Sequence, residues 1–170
     1  MIRENLAKIR QSLASSCAKA GRLSTEVTLV CVSKNRSVGQ IQEVLESGVT
    51  DIGENKVQEA LIHYKALADT VYGQRVKWHM IGHLQSNKVK EAIRIFDLIH
   101  SIDSLRLAEE INRQAAKINK LQDILVEVKT SPEESKAGIS DKEVPGLVKS
   151  ILNLKNLRLL DNGPHRKSGF

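Results

Sequence analysis

The chain has 170 residues, of which 41% are hydrophobic and 27% charged. That balance excludes a disordered chain and fits one domain with a real core. No apolar run reaches membrane-spanning length, and the opening residues, from Met1 to Lys8, are charged and helical in pattern rather than a leader with an apolar centre, so a cytoplasmic protein is expected. The net charge of +6 raises nucleic acid as a partner. Aromatic residues make up only 3%, however, and lysines alternate with glutamates along the expected helices, so a solvated surface explains the charge better and neither a nucleic-acid nor a membrane partner is expected.

The pattern predicts a helix over residues 2–20, ended by Gly21 in a left-handed cap. A Val-rich strand follows over residues 27–33 and delivers Lys34 at its end. Ser37 and Gln40 form a capping box for a helix that turns Ile41, Val44 and Leu45 inward, with Gly48 closing it. Residues 49–53 read as a short strand, after which Val57, Ala60, Leu61, Tyr64 and Leu67 mark the buried side of a long helix. Residues 76–82 and 97–102 read as further strands, with helices over 85–96 and 105–119.

A fifth strand is expected over residues 124–128, then a polar loop over 130–138 long enough to lie over a site. Ser140 and Glu143 repeat the capping box for a helix to about residue 154, where Pro145 is tolerable because it falls in the first turn. Residues 157–160 begin a sixth strand. Strands alternating with amphipathic helices, in units of about 25 residues, are the signature of βα units on a parallel sheet. Each strand end carries polar or glycine-rich residues: Ser33-Lys34, Gly53-Glu-Asn55, Gly82-His83, His100-Ser101 and Lys129-Thr130. One chemically loaded rim is what a (β/α)8 TIM-type barrel requires, and the glycine fingerprint of a dinucleotide-binding sheet is missing. The expectation is a single α/β domain over residues 1–170, an incomplete barrel of about six strands.

Lys34 is the residue with most chemistry to offer. An amine shielded at the end of a buried strand loses solvation, which favours its neutral, nucleophilic form and permits Schiff-base formation with an aldehyde cofactor or a carbonyl substrate. The competing reading is a lysine that ends a strand and keeps its head in water, the commoner outcome for such a position. His79 and His83 have the i, i+4 spacing of a helical zinc pair. In an extended strand, though, residues so spaced stand about 13 Å apart, which argues against a metal. His83 is placed either to donate to a ligand or to cap the next helix, and Asn55 either to bond a ligand or to cap its own. Cys17 and Cys31 fit neither a metal spacing nor a disulfide framework. No nucleophile–base pair or paired carboxylates can be named, so no catalytic residue is expected.

Three motifs carry a family resemblance. Val32-Ser-Lys34 resembles the lysine motif of the pyridoxal phosphate homeostasis proteins, whose fold is that of the alanine racemase N-terminal barrel. Gly53-Glu-Asn-Lys-Val-Gln-Glu59 resembles that family's G-E-N-Y-V-Q-E. The run from Trp78 to Lys88, W-H-M-I-G-H-L-Q-S-N-K, is similar to its W-H-F-I-G-H-L-Q-S-N-K. His100-Ser-Ile-Asp103 and Glu134-Ser-Lys-Ala-Gly138 extend the likeness over about residues 1–160.

The resemblance implies pyridoxal 5'-phosphate bound as an internal aldimine on Lys34, with Asn55, Gly82, His83 and Ser101 lining the cofactor pocket. It also implies that Lys136 corresponds to a loop lysine able to accept a second cofactor molecule. Family members act in vitamin B6 homeostasis without a recognised turnover, with cofactor-dependent enzymes as recipients, and a monomer or weak dimer is expected. The runner-up is a cofactor-dependent racemase or decarboxylase. Two departures are local: Lys56 stands where the family has tyrosine and Ile52 where it has phenylalanine. After Leu160 the sequence leaves the family pattern. The expectation there is an altered or truncated end lacking the phosphate loops, with weakened cofactor affinity and the first strand left as an exposed edge.

Overall fold

A computed structural model describes residues 1–130 and 138–160. The first helix, α1 (Ile2–Lys19), stops where Gly21 adopts φ +65°, and the Arg22 N–H reaches back to the Cys17 carbonyl at 2.9 Å. Five βα units and a sixth strand follow the predicted rhythm: β1 (Val30–Val32), α2 (Val38–Glu46), β2 (Asp51–Glu54), α3 (Val57–Ala68), β3 (Lys77–Met80), α4 (Val89–Ile95), β4 (Leu98–Ile102), α5 (Leu105–Ala116), β5 (Gln122–Val126), α6 (Val144–Ile151) and β6 (Leu157–Leu159).

All five strand pairings are parallel, and the strands lie side by side in chain order from β1 to β6. A doubly wound sheet reverses its order partway to place helices on both faces, so sequential order excludes it. This sheet winds one way, as a barrel wall does, and the six described strands form part of such a barrel. Ile52, Trp78, Met80, Ile99 and Ile124 form one buried cluster with Ile41, Leu45, Ala60, Leu67, Val89, Ile93 and Ile111 from the helices. The helical layer therefore covers one face of the sheet. Among the described residues no helix is long and apolar enough to cross a membrane.

Local signals account for several element starts. Ser37 and Gln40 form both bonds of the capping box of α2, and Gly48 turns the chain at φ +80°. The Ser104 hydroxyl caps α5. The capping box expected of Ser140 and Glu143 does not form. Glu143 accepts from the Ser140 hydroxyl at 2.6 Å and the Ser140 N–H at 3.1 Å, but it is itself the cap residue of α6 and makes no side-chain cap bond, and Pro145 lies in the first turn.

Several boundaries differ from expectation. β1 is only Val30–Val32, because its one neighbour among the described residues, β2, offers partners only from Asp51 to Gly53; a 3-10 turn over Ser24–Glu26 precedes it. β5 begins two residues early, at Gln122, a polar residue made tolerable in the interior because its amide donates to the carbonyls of Asp97 at 2.8 Å and Asp123 at 3.1 Å. The expected helix over 85–96 divides into a 3-10 turn (Ser86–Lys88) and α4. Among the described residues β1 pairs on one side only, and Val32 is 55% exposed. Both cysteines are free. The loop residues 131–137, with Lys136, and the divergent residues 161–170 lie outside the described residues.

Candidate functional site

Parallel strands in one direction bring their carboxyl ends to a common edge, so Lys34 after β1, Asn55 after β2, Gly82 and His83 after β3, and Ser101 and Asp103 at the end of β4 all belong to one rim. Lys34 itself is exposed, not shielded. The expectation of a buried amine is therefore corrected: β1 is an edge strand among the described residues, and Lys34 opens a turn in which the Arg36 N–H bonds the Ser33 carbonyl at 2.9 Å. What the strand end supplies is an amine within reach of solutes.

Asn55 is half-buried and does not cap its helix, since Lys56 occupies the cap position and makes no side-chain bond there. Its amide makes no side-chain hydrogen bond among the described residues. Gly82 is packed on the Asn55 main chain, so the two junctions are in direct contact. His83 is mostly exposed and does not cap the following turn; its Nδ1 lies 3.5 Å from an Asp103 carboxylate oxygen. Ser101 is buried, and its hydroxyl has no partner among the described residues.

The sheet face opposite the helices carries an arrangement that spacing did not reveal. His79 Nε2 lies 2.9 Å from Asp51 Oδ1, and His79 Nδ1 lies 3.0 Å from His100 Nε2, with the two rings 5.2 Å apart. Asp51 is anchored in turn by the Thr50 hydroxyl at 2.6 Å. The bonding order fits an arrangement in which His79 Nε2–H donates to Asp51 and His100 Nε2–H donates to His79 Nδ1. Burial first, and the charge of His79 second, hold the His100 imidazole below its ordinary range. The chain lines a cavity that also contains Val30, Asp97, Asp123 and Arg158. His79 and His83 thus have separate partners, and among the described residues no group of three or more His, Cys, Asp or Glu is placed to hold a metal.

On the helix side of the rim lies a second polar group. Glu54 is fully buried; its Oε1 accepts from the Ser33 hydroxyl at 2.5 Å and lies 2.6 Å from His63 Nδ1. Its Oε2 has no partner among the described residues. Sequence reasoning missed His63, treating Tyr64 as the inward residue. The structure buries His63 and leaves Tyr64 37% exposed, packed edge-on to Trp78. The Asn35 N–H reaches Glu59 Oε2 at 3.4 Å, and this bond, together with Lys56, holds the Glu59 carboxyl below the usual carboxylate range.

A singly wound parallel sheet with its polar groups gathered at the carboxyl rim defines a barrel domain of the alanine racemase type, and the profile described as alanine racemase, N-terminal domain, matches residues 2–162. The pyridoxal phosphate homeostasis protein of Aquifex aeolicus (strain VF5) is 38% identical over 157 residues, which are 92% of this chain and 67% of that one. PipY of Synechococcus elongatus PCC7942, solved with PLP bound, superposes with a TM-score of 0.78 at 30% identity, covering 97% of this chain and 73% of PipY. Alanine racemase of Clostridium difficile 630, at 14% identity and a TM-score of 0.67, shares the fold. The chain belongs to the pyridoxal phosphate homeostasis protein family. It spans about two thirds of the length of the curated relatives it matches.

Proposed function

We propose that this protein takes up pyridoxal 5'-phosphate at Lys34 and serves intracellular vitamin B6 homeostasis without turning over a substrate of its own. The observation that carries the reading is the position of Lys34: a primary amine, exposed, at the carboxyl end of the first strand of an alanine-racemase-type sheet. The aldehyde of the cofactor supplies an electrophile that condenses with such an amine and releases water. Exposure suits uptake and release, since the cofactor must reach the amine from solution and leave again for a recipient enzyme.

The other rim groups fit a polar, ring-bearing ligand. The Asn55 amide offers both a donor and an acceptor. The unpartnered Ser101 hydroxyl gains a bond if a ligand atom reaches it, and such a buried group otherwise costs about 1–3 kcal/mol. Gly82 keeps Asn55 close to the β3 end, and His83 stands beside Asp103 on the same edge. Lys136 is assigned the weaker role of a second attachment point. The protein acts as a monomer or weak dimer in the cytoplasm.

The test is direct. Incubation with pyridoxal 5'-phosphate should give visible absorbance, and borohydride reduction should add one cofactor to the intact mass, on the peptide containing Lys34. Lys34→Ala should abolish the mass gain on that peptide and most of the absorbance, leaving only the weaker attachment at Lys136. A wild-type protein that stays colourless and gains no mass overturns the reading, and turnover of amino acids by the loaded protein overturns its non-enzymatic part.

A further inference from the structure

Lys34 lies between two residues that are each held by a glutamate of the same short motif. On one side, the Ser33 hydroxyl donates to Glu54 Oε1 at 2.5 Å and lies 3.3 Å from the Gly53 carbonyl, which also accepts the Ser33 N–H at 3.0 Å. On the other, the Asn35 N–H donates to Glu59 Oε2 at 3.4 Å. Glu54 ends β2 and Glu59 sits in the first turn of α3, so one βα junction grips the neighbouring strand end twice. We propose that Glu54 and Glu59 are positioning residues, a carboxylate clamp that fixes the backbone on both sides of Lys34 and so sets the direction from which its amine meets a carbonyl ligand.

Three features support the clamp. Asn35 has φ +57°, a left-handed conformation that a non-glycine residue holds only with help from its surroundings, and Glu59 bonds the N–H of that same residue. Glu54 is a carboxylate with no exposure at all. Burying it is costly, and hydrocarbon of the same volume would stabilise the layer at least as well, so its value lies in where it directs its bonds. His63 Nδ1, 2.6 Å from the same Oε1, holds the carboxyl from the helix side. An amine on a wandering turn samples many approach angles; an amine on a fixed one is already oriented for attack.

The inference rests on Lys34 being the attachment point, and its test separates the two. Glu59→Ala and Ser33→Ala each remove one half of the clamp, whereas Glu59→Gln and Ser33→Thr keep an acceptor or a hydroxyl in place. Two quantities are measured on the whole chain: amide hydrogen exchange over residues 33–36, and the rate at which 5'-phosphopyridoxal aldehyde attaches to Lys34. The alanine variants should exchange about tenfold faster at Asn35 and attach about five- to tenfold more slowly. The Gln and Thr variants should restore most of both, which a general loss of stability would not do. Unchanged exchange in Glu59→Ala shows that the bond holds nothing and overturns the clamp. Faster exchange with an unchanged attachment rate overturns its role in orienting the amine. A wild-type chain with slow exchange that never attaches the aldehyde keeps the clamp as structure and overturns the assignment of Lys34 instead.

Discussion

Gly82 and Asn55 approach so closely that a Cβ at position 82 would lie 2.3 Å from the Asn55 carbonyl oxygen and 2.9 Å from its carbonyl carbon. Both partners are main chain at adjoining strand ends, so neither can swing aside as a side chain would. Gly82→Ala should therefore force the β2 and β3 junctions apart and destabilise the protein by about 2 kcal/mol or more. Urea unfolding of the variant checks this. A midpoint within error of wild type would show that the junctions are not packed as described.

Lys120 should matter more than an ordinary surface lysine. Its Nζ donates to the carbonyls of Ile93 at 2.8 Å and Phe96 at 2.7 Å, closing the end of α4, where the helix dipole also favours a cation. Burial lowers its pKa, against the opposing pull of Asp97 and Asp123. Lys120→Met keeps the packing length but removes both bonds, and the expected loss is about 2 kcal/mol. Thermal unfolding at neutral pH tests it, with Lys117→Met, on an exposed neighbour, as the comparison.

Acid should weaken the fold through His100. Burial, then the adjacent His79, hold its imidazole below the ordinary value, so protonation costs more in the folded chain than in the unfolded one. The stability associated with neutral His100 is fully present above the unfolded histidine value of about 6.5 and is lost as pH falls through the lower folded value. Urea midpoints should decline between about pH 7 and pH 5 in the wild type and decline less in His100→Asn. An equal slope in both proteins would remove His100 as the cause.

Gly138 is constrained from two directions. It has φ +107°, and a Cβ there would stand 3.0 Å from the Glu127 carbonyl oxygen. It precedes Ile139, which bridges to Val128: the Ile139 N–H bonds the Glu127 carbonyl at 2.9 Å, and the Ile139 carbonyl accepts from Lys129 at 2.8 Å. Gly138→Ala should open this bridge, cost about 1–3 kcal/mol and speed amide exchange at Ile139. Slow exchange at Ile139 in the variant would contradict it.

The order and type of the elements could be read from periodicity because each helix has one apolar stripe and each strand is bounded by turn residues. Signals confined to a few neighbours were legible too: Ser37 with Gln40, Gly21, Gly48, and Pro145 in a first turn. Groups whose environment depends on distant partners were not. His63 is inward because Glu54, nine residues earlier, is buried opposite it, and helical spacing alone favours Tyr64. Gln122 is interior because the Asp97 carbonyl waits for its amide.

The rim residues were visible as a set, since polar junctions mark themselves in each βα unit. The solvation of Lys34 was not, because it depends on what lies beyond the edge of β1. Likewise Asp51, His79 and His100 belong to three strands, and only their register brings the carboxylate and the two rings into one line. Glu54 and Glu59 stand in a sequence motif, yet their contact with the residues flanking Lys34 depends on β1 and β2 lying side by side.

Sequential strand order also shapes how the molecule is made. Among the described residues each strand is hydrogen-bonded only to the strands nearest to it in sequence. A nascent chain emerging from the ribosome can thus lay each of the strands β2 to β6 on an edge already formed by the one before it.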